Sequence, residues 1–122
     1  MTLYLAIKFY AYPKCSTCKK AQSLLNRKKR AYEAIDITAT PPDRGELKAM
    51  LAHVGGDMRR LFNTSGLVYK EMGLSKKLAA LSESDALKLL ASNGKLIRRP
   101  FLIVDGKPAA IGFSEREWDL LV

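Results

Sequence analysis

A chain of 122 residues that is 48% hydrophobic and 27% charged has enough apolar side chains to close a core without disulfide or metal staples. No apolar run approaches the roughly 18 residues that cross a bilayer, and no basic-then-apolar leader opens the chain, so a cytoplasmic protein without membrane contact is expected. The formal net charge of +9 is uneven: residues 1 to 32 carry Lys8, Lys14, Lys19, Lys20, Arg27, Lys28, Lys29 and Arg30 and no acidic residue. This front part is expected to attract anions, whether small oxyanions, glutathione, an acidic protein surface or nucleic-acid phosphate. The alternative is a solvated basic helix face that serves solubility.

Leu3, Leu5, Ile7 and Phe9 alternate with smaller or polar residues before Pro13, which predicts a first strand of about six to eight residues. From Ser16 to Arg30 the period becomes helical. Cys18, Ala21, Leu24 and Leu25 share an apolar face, and Lys19, Lys20, Ser23 and Arg27 take the other. Residues 31–37 read as a short second strand, so strand, helix and strand imply a right-handed crossover and a parallel pair. Pro42 is expected in the first turn of a helix that carries Leu47, Met50, Leu51 and Val54 and ends at Gly55-Gly56. Short helical pieces follow to Ser92, interrupted at Asn63-Thr64-Ser65-Gly66, with Ser82 capping the last of them and Asn93-Gly94 ending it. Phe101 to Val104 and Pro108 to Gly112 flank an Asp105-Gly106 hairpin signal. Ser114-Glu115-Arg116-Glu117 has the form of a capping box for a final helix with Trp118 and Leu121. The order β-α-β, helices, β-β-α is that of an α/β thioredoxin-like fold with a mixed four-stranded sheet. It is expected as a single domain over 1–122 with a helical insertion at about 42–93.

Both cysteines fall in Tyr12-Pro13-Lys14-Cys15-Ser16-Thr17-Cys18-Lys19, at the turn from first strand to first helix. Unpaired N–H groups and the positive dipole end at a helix N-terminus stabilise an anion, so a thiol there ionises below its free pKa of about 8.5. Cys15 is expected at the exposed mouth and Cys18 on the buried face. Half a zinc site, an inert disulfide and coincidence compete with this reading. Zinc would need ligands beyond two thiols and His53, which lies off the apolar stripe of its helix, so no metal is expected. A thioredoxin-like topology around Cys-x-x-Cys favours redox chemistry.

The run Tyr12 to Lys20, the later Arg98-Arg99-Pro100 and the closing Gly112-Phe113-Ser114-Glu115 resemble the arsenate-reductase-like family, which also contains the Spx-type transcriptional regulators. The likeness covers nearly the whole chain. It implies a thioredoxin-like domain with a helical insertion, a nucleophilic cysteine at Cys15, and an arginine before a cis proline at Arg99 and Pro100, where sequence alone predicts trans. Glutaredoxin-linked arsenate reductases hold the oxyanion with three arginines. Only Arg99 matches one of them; the others fall near Asn63 and at Gly112, with Arg59 and Arg60 a turn away as candidate substitutes. The histidine and asparagine before the cysteine of those enzymes are Ala11 and Tyr12 here, and Cys18 is additional. Each lost charge-assisted hydrogen bond forfeits roughly 1.5–3 kcal/mol, which points away from efficient arsenate reduction.

The expected chemistry is thiol–disulfide exchange. Cys15, held as thiolate by the helix N-terminus, Lys14, Lys19 and Arg99, attacks, and Cys18 resolves. Ser16 or Thr17 either donates to the sulfur or caps the helix. Pro13 and Pro100 shape the turn, and Arg98 is expected on the side of its extended segment opposite Arg99. Tyr10 and Tyr12 read as packing residues. No cofactor is expected to be bound; glutathione is a candidate co-substrate, and glutaredoxin or thioredoxin a candidate reductant. The resemblance to Spx-type regulators implies a different partner, the C-terminal domain of the RNA polymerase α subunit. Direct DNA binding is not expected, since the basic segment lacks interleaved aromatics and a helix-turn-helix.

Overall fold

The computed structural model describes residues 6–122; the part of the first strand expected at Leu3 and Leu5 lies outside the described residues. Strand β1 (Ile7–Ala11), helix α1 (Ser16–Arg27) and strand β2 (Glu33–Asp36) form the expected unit, with β1 and β2 parallel. Strands β3 (Phe101–Val104) and β4 (Lys107–Ile111) form a hairpin whose turn residues Asp105 and Gly106 both have positive φ, as a tight primed turn requires. Among the described residues the four strands make one mixed sheet in the order β2-β1-β3-β4, with β3 antiparallel to both neighbours.

Alternation along the central strands divides the core in two. Ile7 and Phe9 of β1 and Leu102 of β3 pack with Cys18, Ala21, Leu24 and Leu25 of α1 and with Trp118 of helix α6 (Glu115–Leu121). Tyr10, Phe101 and Ile103 face the other way, onto the helices between β2 and β3. Those are α2 (Arg44–His53), α3 (Leu67–Glu71), α4 (Leu74–Lys77) and α5 (Glu83–Ser92), with 3-10 turns at Met58–Leu61, Leu78–Ala80 and Gly94–Leu96.

The boundaries differ from expectation where local caps intervene. Helix α1 ends at Arg27, and Lys29 turns into the left-handed region at φ 56°. Helix α2 starts at Arg44 because Asp43 and Glu46 form a reciprocal capping box, so Pro42 precedes the cap rather than sitting in the first turn. Glu46 also accepts from Lys8 Nζ and Tyr10 Oη, both at 2.8 Å, tying α2 to β1. Burial and that bond push the Tyr10 phenol up to about 12. Ser82 and Ser114 cap α5 and α6 as expected.

The basic front part splits in use. Arg27 pairs with Glu115 at 2.8 Å, Lys28 reaches the Asp119 carbonyl at 2.6 Å, and Arg30 donates to the Val122 carbonyl. Three of the eight cations thus fasten α6 to the C-terminal end of α1. Lys14, Lys19 and Lys20 remain exposed at its start.

Candidate functional site

Helix α1 is capped by a sulfur. Cys15 is its N-cap residue, in extended conformation, and its Sγ accepts the Cys18 N–H at 3.2 Å. The Cys15 N–H donates to the Tyr12 carbonyl at 3.0 Å, closing the turn that carries Pro13 and Lys14. Ser16 and Thr17, expected as alternative caps, are instead the first two residues of the helix proper. The hydroxyl position that usually caps a helix is taken by the thiol.

The two thiols, both reduced, occupy opposite environments. Cys15 is half-buried and Cys18 is 3% exposed in the apolar core beside Ala21. Burial alone would push the Cys15 thiol up. The Cys18 thiol and N–H donating to its sulfur, together with the Arg99 guanidinium, outweigh that and bring it below its ordinary value. Cys18 moves the opposite way, up to about 12, chiefly by burial and by its hydrogen bond to Cys15. Cys15 is thus the more readily ionised of the two thiols, and Cys18 is the one that burial keeps protonated.

Arg99 reaches this sulfur from the far half of the chain. It precedes a cis peptide bond to Pro100, at the entry to β3, and its guanidinium lies 4.7 Å from the centroid of the Tyr12 ring. Cation–π contact of this kind fixes the guanidinium plane while leaving its donors available. Tyr12 is therefore a platform for Arg99.

Cys15, Thr17 and Arg99 line one open pocket of about 330 Å³, together with Asn63 and Ser65 from the loop before α3 and Gly112-Phe113 from the entry to α6. Arg98 lines it too, contrary to the expectation that it would face away from Arg99. Strict alternation holds only in regular strand, and β3 begins at Phe101; before it, Ile97 makes a lone bridge to Phe62 and residues 98–100 are irregular. Asn63 and Arg99 also line a smaller adjoining groove of about 200 Å³ with Leu67, Val68 and Lys95.

Other expected site residues lie elsewhere. Pro13 and Lys19 line a separate cavity of about 330 Å³ against Ile35 of β2, which touches Cys18 from behind. Lys14 is exposed on the turn and Ser16 on the helix surface. Arg59 and Arg60 are not brought to the Cys15 pocket. Their 3-10 turn, capped by Asp57, buries Leu61 and leaves both arginines at the surface. The residues that sequence reasoning missed are Ser65 and Phe113, and the pocket-facing role of Arg98. No local signal marks Ser65, whereas Phe113 sat within a recognised end motif.

Comparison with known proteins places the chain. A family model described as the ArsC family matches residues 10–121. The uncharacterised protein YusI of Bacillus subtilis (strain 168) is 43% identical over 115 residues, covering 94% of this chain and 97% of its own. The global transcriptional regulator Spx of Streptococcus mutans is 30% identical over 111 residues, covering 91% of this chain and 79% of its own. A crystal structure of a possible arsenate reductase from Streptococcus mutans UA159 superposes with a TM-score of 0.88 at 42% identity, covering 95% of this chain and 98% of that one. The match to the family model over residues 10–121, with relatives and a solved structure alike over nearly the whole chain, makes the protein a member of the ArsC family with its thioredoxin-like fold.

Proposed function

We propose that the protein is a dithiol oxidoreductase in which Cys15 is the nucleophile and Cys18 the resolving thiol. The observation that carries this is the Cys15 sulfur at the α1 N-cap, accepting the Cys18 N–H beside Arg99. The Cys15 thiolate attacks one sulfur of a disulfide R–S–S–R; a Cys15–S–S–R bond forms and RS⁻ leaves. Cys18 then gives its proton to solvent or to the departing thiolate and attacks the Cys15 sulfur. A Cys15–Cys18 disulfide forms and the second RS⁻ departs. The protein loses two electrons and the substrate gains two.

An external dithiol or two monothiols must reset the protein, which makes glutaredoxin, thioredoxin or glutathione the reductant by class. Trapping tests the roles: Cys18→Ser accumulates a mixed disulfide at Cys15, seen by intact mass. A Cys15→Ser variant that instead accumulates the adduct at Cys18 would reverse them.

The likeness to Spx regulators favours a second reading. In it the same thiol pair is a switch that alters binding to the RNA polymerase α C-terminal domain without turnover. Pull-down with that domain in oxidised and reduced forms, beside a turnover assay, separates the two. Arsenate reduction is a weaker third reading, because Asn63 and the side-chain-free Gly112 line the pocket at the positions where the resemblance implies arginines.

A further inference from the structure

Two guanidiniums line the Cys15 pocket, and their surroundings give them different work. Arg99 lies over Tyr12 and faces the Cys15 sulfur. Arg98 lies across Gly112: a Cβ added to Gly112 would meet its Nε at 3.4 Å and its Cδ at 3.7 Å, so that stem crosses a place any side chain would crowd. Gly112 itself is fixed, with φ 76°, its N–H donating to the Pro100 carbonyl at 2.8 Å and its carbonyl accepting Trp118 Nε1 at 3.1 Å. Among the described residues neither arginine pairs with a carboxylate.

From this we infer that Arg98 is the specificity residue of the pocket and binds a carboxylate carried by a small organic disulfide whose sulfur is presented to Cys15. The inference rests on the dithiol reading and names its substrate class. A single fork-shaped guanidinium matches a planar carboxylate through two parallel hydrogen bonds. A bare inorganic oxyanion is the poorer fit, since Arg99 is engaged with the sulfur and a pocket of about 330 Å³ falls in the range of organic ligands. Asn63 and Ser65, which line the same pocket, supply polar groups that can meet amides of the same ligand.

The test uses the full chain with Cys18→Ser, so that one thiol reacts once. Its reduced form is mixed at pH 7 with 5,5′-dithiobis(2-nitrobenzoate), which bears a carboxylate on each ring, and in parallel with neutral 4,4′-dithiodipyridine. The expected result is that Arg98→Gln lowers the ratio of carboxylated to neutral rate by about tenfold, one hydrogen-bonded ion pair's worth. Lys20→Gln, at the exposed surface of α1, moves the ratio by less than about twofold. An unchanged ratio in Arg98→Gln, or an equal fall in Lys20→Gln, overturns the assignment and leaves the dithiol reading intact. A parent that reacts with the neutral reagent no faster than free cysteine overturns the dithiol reading itself.

Discussion

The sulfur cap on α1 puts the proposed nucleophile and the stability of the fold on one atom, and a pair of substitutions at Cys15 separates them. Replacing Cys15 by alanine removes the acceptor of the Cys18 N–H and is expected to cost about 1 kcal/mol, the typical worth of an N-cap. Serine is a better cap than a neutral thiol, so once the pH is low enough to protonate Cys15 the Cys15→Ser protein is at least as stable as the parent. The order then changes with pH. The folded Cys15 pKa is lowered, so the reduced parent gains stability as pH rises from that value toward the unfolded thiol value near 8.5, and loses it as pH falls back through the folded value. A charged group at a helix N-terminus adds about 0.3–1 kcal/mol, and serine, which does not titrate here, gains none of it. Urea unfolding under reducing conditions at pH 5 and pH 8.5 reads this as a shift of up to about 0.5 M in the parent's midpoint relative to Cys15→Ser, at a slope of about 2 kcal/mol/M. Cys18 is present in both proteins, so the stability that its raised value costs as pH nears the unfolded thiol value is common to them and drops out of the difference. A difference between parent and Cys15→Ser that does not move with pH would refute the capping thiolate.

Three further outcomes follow from the same geometry. Arg99→Gln moves the midpoint of iodoacetamide alkylation of Cys15 to higher pH, because a positive charge facing the sulfur is lost; an unmoved midpoint would leave Arg99 without this role. Gly94→Ala is expected to be severely destabilising, since the new Cβ would lie 1.7 Å from the Ile37 carbonyl oxygen, backbone on backbone. Overpacking typically costs 1–3 kcal/mol and rigid backbone raises that to about 3 or more, against about 1 for Gly56→Ala, where φ is 82° but the space is open; equal urea midpoints for the two would contradict it. Glu46→Ala removes the acceptor shared by Lys8, Tyr10 and the Asp43 N–H, with an expected loss of about 2 kcal/mol, read as a lowered thermal midpoint with the Cys15 alkylation profile unchanged.

Much of this was legible in sequence because it is local. The alternation at Ile7 and Phe9, the 3.6-residue face through Cys18, Ala21, Leu24 and Leu25, and the Asp105-Gly106 turn each declare themselves within a few residues. The Ser82 and Ser114 caps do the same, and elements built on them appear where expected. The division between an accessible Cys15 and a buried Cys18 follows from the same helical face. The cap itself was not legible, because serine and threonine stand beside Cys15 and propensity favours hydroxyls. Nor was the fate of Arg59 and Arg60, which depends on which way a single 3-10 turn rolls when Leu61 is buried.

The positive charge shows most clearly why the rest needed tertiary structure. Read along the chain, residues 8–30 look like an anion-binding run, and the thiols sit inside it. In space Arg27, Lys28 and Arg30 are turned to the far end of α1, where they hold Glu115, Asp119 and the Val122 carbonyl. Lys19 lies behind Cys18 rather than before Cys15. The guanidiniums that share a pocket with the Cys15 sulfur come from positions 98 and 99, delivered by the antiparallel pairing of β3 with β1. That pairing sets Phe101 beside Tyr10, so the segment before β3 is carried to the same sheet edge as the turn after β1. Sequence proximity sets Lys14 and Lys19 near the thiols, and the Cys18 N–H reaches the Cys15 sulfur within one helical turn, but Arg99, expected there from the family resemblance, joins them only once the sheet has closed.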